Sequence, residues 1–400
     1  MGRLSVAFRH FCARFHLMTP LEHIGIAVDD AEAVVEVYET LLGVLPYAAE
    51  SVESQQVRTH FLAAGPAKLE LLESLAPDSP IASHLERRGE GLHHLAFAVD
   101  DAAEAMERLR DAGFRLLSDE PLPGADDKEI FFIHPKDTHG VLIECCADGP
   151  LTWEPTRIPY RESHLALYHA GSDQNPPLLL LHGAAGSTRT ETALLMKRLK
   201  LHFHILAVDF SGHGASDPID EPFTADLFAD NARAALDHFG YDSAHVFGFS
   251  MGGNMAMQLA RRHPDRVRDV AVHGANVTWN NALMEAMLKR LDPATLPPSV
   301  AQHLASVHTD WVQLFADMQA FVRTLPEETP AMLDSVAELD LPVLVSAVDQ
   351  DDLFPLTVPM TLHRRLPDAR LAILPGTRHA LPQAPLSRLA TEVYKFFQRA

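Results

Sequence analysis

The chain has 400 residues, 47% of them hydrophobic, with a mean hydropathy of -0.04. That length exceeds the usual ~100 to 200 residues of one domain and fits two, the composition argues against disorder, and no apolar run approaches the ~18 residues of a membrane span. A formal charge of -21 repels nucleic acid, and three cysteines, two of them the neighbours Cys145 and Cys146, cannot build a disulfide framework. The expectation is a soluble cytoplasmic protein of a reducing compartment, with neither nucleic acid nor membrane as partner.

Residues 1–17 carry Arg3, Arg9 and Arg14, with no acid before Glu22, which has the pattern of a weak targeting segment. The expectation here is a disordered tail or a misassigned start ahead of Met18. Most of the acid excess lies between residues 18 and 150, so the two halves differ electrostatically.

The first half contains an internal repeat. The stretch 22-EHIGIAVDDAEAVVEVYETLLG-43 resembles 93-HHLAFAVDDAAEAMERLRDAG-113. Each copy opens with a histidine on a short apolar strand, continues through an Asp-Asp pair placed to cap a helix, and ends its amphipathic helix at glycine. Further strands follow, closing in 69-LELLE-73 and 141-VLIEC-145, so an acid recurs after each histidine at nearly the same interval. Two β-α-β-β-β units related by a pseudo-twofold bring His23, Glu70, His94 and Glu144 onto one curved sheet. Two imidazoles and two carboxylates suit a divalent ion such as Co, Mn, Ni or Zn, with room for solvent or substrate.

The wording of 78-DSPIASHLERRGEGLHHLAFAVDD-101 and 133-IHPKDTHGVLIE-144 resembles the methylmalonyl-CoA epimerase branch of the vicinal oxygen chelate (glyoxalase-like) superfamily, over about residues 20 to 147. The resemblance implies His23, Glu70, His94 and Glu144 as metal ligands and epimerisation beside a thioester carbonyl, with flanking bases moving the proton. Glu144 is one candidate base. The second is unassigned, because 57-VRTHF-61 offers Arg58, Thr59 and His60 where some members place a carboxylate. An acyl-CoA is polyanionic, and the local cations are Arg87, Arg88, Lys128 and Lys136. The resemblance also brings the expectation of a homodimer through sheet edges.

Residues 148–162 hold three prolines and no periodicity, and read as a linker between domains at 18–147 and 163–400. Beyond them, strand-like runs at 163–171, 176–183, 203–216, 245–253, 269–276, 342–352 and 371–379 alternate with helical stretches, the pattern of a parallel α/β sheet. The motif 248-GFSMG-252 is a Gly-x-Ser-x-Gly elbow, which lifts Ser250 off a strand at a helix start. Asp351 and His379 each follow a later strand, in the order Ser, Asp, His; Asp349 and Asp352 are rivals for the acid. Backbone N–H groups of Ala184, in 182-HGAAGS-187, and Met251 would form the oxyanion hole. Together with 209-DFSGHGAS-216 these motifs resemble the α/β-hydrolase superfamily. The helical insertion at about 277–338 stands where that family carries a cap.

The leading reading is therefore a two-domain, bifunctional enzyme: an α+β vicinal oxygen chelate fold with metal-dependent epimerase chemistry, then an α/β-hydrolase acting on an ester or thioester. The substrate is a small acyl compound, with acyl-CoA the first choice. Three other readings stay open: a lactoylglutathione lyase type of isomerase with thioester hydrolysis, a ring-cleaving dioxygenase with a carbon-carbon bond hydrolase, and a non-catalytic metal- or ligand-binding module that regulates the hydrolase.

Overall fold

The computed structural model describes residues 21–42, 46–53, 55–64, 67–99, 101–126, 128–148, 154–200 and 202–398. The chain divides into two compact units, Met1–Pro150 and Leu151–Ala400. The expectation for residues 1–17 lies outside the described residues.

The first unit is two β-α-β-β-β copies. The first holds β1 (Leu21–Val28), α1 (Ala31–Leu42), β2 (Pro46–Val52), β3 (Val57–Ala64) and β4 (Ala67–Ser74). After α2 (Pro80–Arg88), the second holds β5 (Gly91–Ala98), α3 (Ala102–Asp111), β6 (Leu122–Pro123), β7 (Lys128–Ile133) and β8 (Leu142–Asp148). The sheet order β2-β3-β4-β1-β5-β8-β7-β6 reads the same from either end once the copies are exchanged, and the antiparallel pair β1 and β5 forms its centre.

The second Asp of each Asp-Asp pair caps its helix. Ala33 N–H donates to Asp30 Oδ1 at 3.1 Å and Glu104 N–H to Asp101 Oδ1 at 2.8 Å, each satisfying a donor of the first turn. Behind the sheet, Val28, Ala31, Val35, Leu62, Leu69 and Leu71 pack one copy's core, and Ala102, Ala105, Met106, Leu109, Phe131 and Cys145 the other's.

The second unit is an eight-stranded sheet in the order β16-β15-β14-β13-β11-β12-β10-β9. Five of its strands are buried along their whole length or nearly so: β11 (Pro177–Leu181), β12 (His204–Val208), β13 (Ala244–Phe249), β14 (Val267–His273) and β15 (Val343–Val348). Helices α4 (Ala193–Leu199), α5 (Ala225–Phe239), α6 (Met251–Arg262), α10 (Thr357–Arg365) and α11 (Leu386–Phe397) cover both faces of the sheet, as continuous apolar strands require. At the edges stand β9 (Thr156–Tyr160), β10 (Ser163–Ala170) next to it, and β16 (Ala369–Leu374).

Part of the segment 148–162, read as linker, is instead sheet. Residues Thr156–Tyr160 form β9, paired antiparallel with β10. An edge strand tolerates Pro159, because its missing N–H can face away from the ladder, so the prolines misled the reading. Between β14 and β15 stand α7 (Asn281–Arg290), α8 (Pro298–Val307) and α9 (Trp311–Ala337). Helix α9 continues through Pro326 and Pro330 and buries Leu314, Phe315, Met318, Phe321, Val322 and Leu325, which offset the lost backbone hydrogen bonds.

Candidate functional sites

In the first domain His23 lies on β1, Glu70 on β4, His94 on β5 and Glu144 on β8, the four central strands, and all four side chains are buried. Their functional atoms converge. The two Nε2 atoms are 2.9 Å apart, and Glu70 Oε2 stands 3.2 Å from that of His23 and 3.4 Å from that of His94. Glu144 Oε2 lies 3.1 Å from His94 Nε2 and 3.8 Å from His23 Nε2.

These separations fit a divalent ion. With bonds of about 2.1 Å, adjacent ligands lie about 3.0 Å apart in an octahedron and about 3.4 Å in a tetrahedron. Two imidazole nitrogens and two carboxylate oxygens facing one another are all electron-pair donors, a set that a cation satisfies. Electrostatics agree. Burial disfavours charge on His23, but Glu70 and Glu144 outweigh it and hold the imidazole pKa well above its usual value. Burial likewise opposes the Glu70 carboxylate, and the two histidines overcome it and hold the acid below its usual range.

The backbone makes room for this cluster. A Cβ on Gly25 would stand 2.3 Å from His94 Cε1, so glycine there leaves the space the imidazole fills. The β1–β5 register also slips twice, between Leu21 and His23 and between Gly25 and Ile26, where the partners are His94 and Leu92. The extra residues are Glu22 and His93, each immediately before a site histidine. A bulge turns such a residue out of the strict alternation of a strand. Glu22 Oε2 accepts from His23 Nδ1 at 2.5 Å, and His93 Nδ1 lies 3.0 Å from His94 Nδ1. Each ring is thus oriented through its outer nitrogen, as metal-binding histidines generally are.

Neither Glu22 nor His93 was singled out from the sequence. An acid directly before a strand histidine is the one signal available, and strict alternation argues it away. Glu22 is further bound by Lys68 at 2.5 Å and Lys128 at 3.6 Å, so Lys128 faces an internal carboxylate. Of the stretch 57-VRTHF-61, Thr59 and His60 are buried and Arg58 pairs with Glu73. Cross-strand pairing puts Glu50 opposite Thr59 and Thr59 opposite Leu72, two residues along β4 from Glu70. Glu50 therefore belongs to the sheet face that carries Glu70, and it is exposed.

In the second domain Ser250 sits between β13 and α6 with φ 51° and ψ -116°, a left-handed conformation for a residue with a side chain. Its flanking glycines are required by close approach. A Cβ on Gly248 would meet Gly252 O at 2.2 Å, and one on Gly252 would meet Leu181 O at 2.3 Å. His379 Nε2 is 3.0 Å from Ser250 Oγ, and His379 Nδ1 is 2.8 Å from Asp351 Oδ2. Burial opposes the charge on Asp351, but the His379 hydrogen bond and its neighbours hold its pKa below the usual value.

The rival acids are engaged elsewhere, Asp349 accepting from Thr377 N–H at 3.2 Å and Asp352 pairing with Arg290 at 3.3 Å. A serine bonded to an imidazole that a carboxylate orients can pass its proton to that imidazole and attack a carbonyl. Ser250, Ala184 and Met251 open on a cavity of about 290 Å³. Its walls are largely apolar side chains of α6 and α9, including Met255, Met318, Phe321 and Leu325. The loop before α4 is held from below: Gly183 N–H donates to Glu191 Oε2 at 2.6 Å, and Thr188 N–H to the buried Asp209 at 2.7 Å.

No helix among the described residues is long and apolar enough to cross a membrane. Comparison with known proteins agrees with both folds. Residues 22–132 match the glyoxalase/bleomycin resistance protein/dioxygenase superfamily, and residues 176–316 match the alpha/beta hydrolase fold. The ethylmalonyl-CoA/methylmalonyl-CoA epimerase of Cereibacter sphaeroides is 40% identical over 126 residues, 31% of this chain and 94% of that protein. The putative carbamate hydrolase RutD of a Caulobacter species is 29% identical over 236 residues, spanning 53% of this chain and 87% of its own. A crystal structure of a hydrolase from Pseudomonas aeruginosa shares the fold at 20% identity, with a TM-score of 0.52, over 61% of this chain and 98% of that one. The chain belongs to the glyoxalase/bleomycin resistance protein/dioxygenase superfamily through its first domain, which has methylmalonyl-CoA epimerase relatives, and its second domain has the alpha/beta hydrolase fold.

Proposed function

We propose that the chain carries two acyl-group activities: metal-dependent epimerisation of methylmalonyl-CoA or a related acyl-CoA, and serine-dependent hydrolysis of an ester or thioester. The observation that carries the first is the convergence of His23, Glu70, His94 and Glu144 within 2.9 to 3.8 Å of one another's histidine nitrogens in a buried site. These four residues would hold a divalent ion, with Co, Mn, Ni and Zn as the candidates. A bound ion supplies a Lewis acid that draws charge from the thioester carbonyl and makes the neighbouring C–H more acidic. Glu144 then serves at one side of the substrate carbon and Glu50, exposed on the Glu70 face, as the second proton-transfer group.

For the second activity, His379 takes the Ser250 hydroxyl proton as Oγ bonds to the substrate carbonyl carbon. The N–H groups of Ala184 and Met251 receive the developing oxyanion. His379 returns the proton to the departing alcohol or thiol, and water repeats the sequence to release the acid, with Asp351 holding the imidazole throughout. The Met-rich cavity favours a flexible apolar acyl group, because unbranched thioether side chains adapt to its shape.

The reading is tested by following loss of the α-proton of methylmalonyl-CoA with metal-loaded and chelator-treated enzyme, and with Glu50→Gln. Metal-dependent exchange that Glu50→Gln slows by about 100-fold or more, the scale of an acid–base group, is expected. Turnover of methylglyoxal with glutathione, with none of methylmalonyl-CoA, would overturn the first half in favour of a lactoylglutathione lyase type of isomerase.

A further inference from the structure

His308 lies in the turn between α8 and α9, inside the helical insertion, and is only 5% exposed. Its ring reaches two loops of the sheet body that lie far away in sequence. Gly214 N–H donates to His308 Nδ1 at 2.8 Å, which fixes Nδ1 as the unprotonated nitrogen. The proton is then on Nε2, which donates to Ala185 O at 3.1 Å. Burial, with His182 close by, drives the pKa of the ring down to about 4, in keeping with this neutral tautomer.

Ala185 is one of the few non-glycine residues with a positive φ, 53°, and it follows Ala184 in the loop that borders Ser250. Such a conformation persists where surrounding contacts over-determine it. The ends of this loop are tied by Glu191, in the helical turn that follows it, at Gly183, and by Asp209, just past β12, at Thr188. Its middle is tied by His308, from the insertion. The other His308 partner, Gly214, neighbours Ala215, whose N–H donates to the same Asp209 at 2.9 Å. The imidazole therefore spans two loops already stitched together beneath it, and holds the strained carbonyl between them.

We propose that His308 is a positioning residue that couples the seating of the helical insertion to the geometry of the oxyanion hole. When the insertion is seated, the bond to Ala185 O holds that residue left-handed and so fixes the turn that aims the Ala184 N–H. When the insertion lifts, the turn relaxes and the hole loses a donor. The inference rests on the hydrolytic reading of Ser250, His379 and Asp351.

Two substitutions separate the two bonds. His308→Asn keeps an acceptor where Nδ1 stands, facing Gly214, and loses the donor to Ala185. His308→Gln keeps an N–H where Nε2 stands and loses the acceptor. With a p-nitrophenyl acetate substrate, whose acyl group leaves the deep cavity unfilled, His308→Asn should lower kcat by about 10- to 100-fold with KM unchanged, the cost of a misplaced catalytic group. His308→Gln should stay near wild type in both. Amide exchange over residues 183–187 should speed up in the Asn variant and not in the Gln variant. Equal losses in both variants, or an unchanged kcat in His308→Asn, would overturn the proposal. If the wild-type protein showed no turnover that depends on Ser250, the hydrolytic reading would fail instead. Amide exchange would then decide the latch alone, with equal rates in the two variants counting against it.

Discussion

Gly25 and His94 occupy one another's space: the imidazole of His94 fills the place where a side chain on residue 25 would begin, 2.3 Å from its Cε1. The two residues are paired across β1 and β5, at the centre of the sheet. Phe132, 6.0 Å away edge-on, and the His93 ring bear on the imidazole as well.

Gly25→Ala should therefore push the imidazole out of line with the other three donors. The expected result is a loss of divalent-ion affinity of about 10-fold or more, the scale on which ligand orientation matters, with the fold retained. Titration calorimetry with cobalt, alongside circular dichroism, measures both. Unchanged affinity would show that something other than Gly25 sets the ring's position.

On the proposed hydrolytic function, the cavity beside Ser250 limits the acyl group accepted. Met318 is 1% exposed and lines the cavity from α9. Met318→Trp fills part of a space of about 290 Å³, so the preferred acyl length in a series of p-nitrophenyl esters should shift to shorter chains. Activity on the acetate ester should stay within about threefold, because a volume change distant from the reacting atoms removes only pocket contacts. A uniform loss across the series would place Met318 outside the acyl path.

Glu191 gives a pH signature. Its carboxyl fills the space beside Gly183 and Gly186, where a Cβ would stand 3.1 and 2.3 Å from its nearest atoms, and burial pushes its pKa up to about 8. The Gly183 N–H opposes that rise without cancelling it. The folded protein thus holds this proton between the ordinary carboxyl pKa of about 4.5 and about 8, where the unfolded chain has lost it. This contribution to stability falls as pH rises across that window and levels off above it. Glu191→Gln removes the dependence, so thermal unfolding from pH 5 to pH 9 should show a gap between the two proteins that moves in favour of the variant as pH rises. A constant gap would mean that Glu191 is ionised throughout.

What the sequence discloses is what strands and local turns encode. His23 and His94 stand out because a repeat places them alike, and Glu70 and Glu144 because each lies on the last strand of its copy. Ser250, Asp351 and His379 sit just past strand ends, where a parallel sheet presents side chains, and short motifs mark them. The bulges at Glu22 and His93 leave no trace in an alternating pattern, since a slip of register depends on how two strands meet. Strand β9 hides among prolines that an edge position tolerates. Helix α9 runs on through Pro326 and Pro330, because burial of its apolar face outweighs local propensity. His308 is invisible for another reason: its partners Gly214 and Ala185 lie 94 and 123 residues away.

The central claim is that one chain carries two independent catalytic centres for acyl compounds. Its most direct test follows solvent deuterium entering methylmalonyl-CoA and CoA thiol released in the same tube, with metal-loaded wild type, His94→Ala and Ser250→Ala. The account predicts exchange that His94→Ala abolishes and Ser250→Ala leaves intact, and any thiol release lost in Ser250→Ala. Exchange that survives in His94→Ala, or none in the metal-loaded wild type, would contradict it.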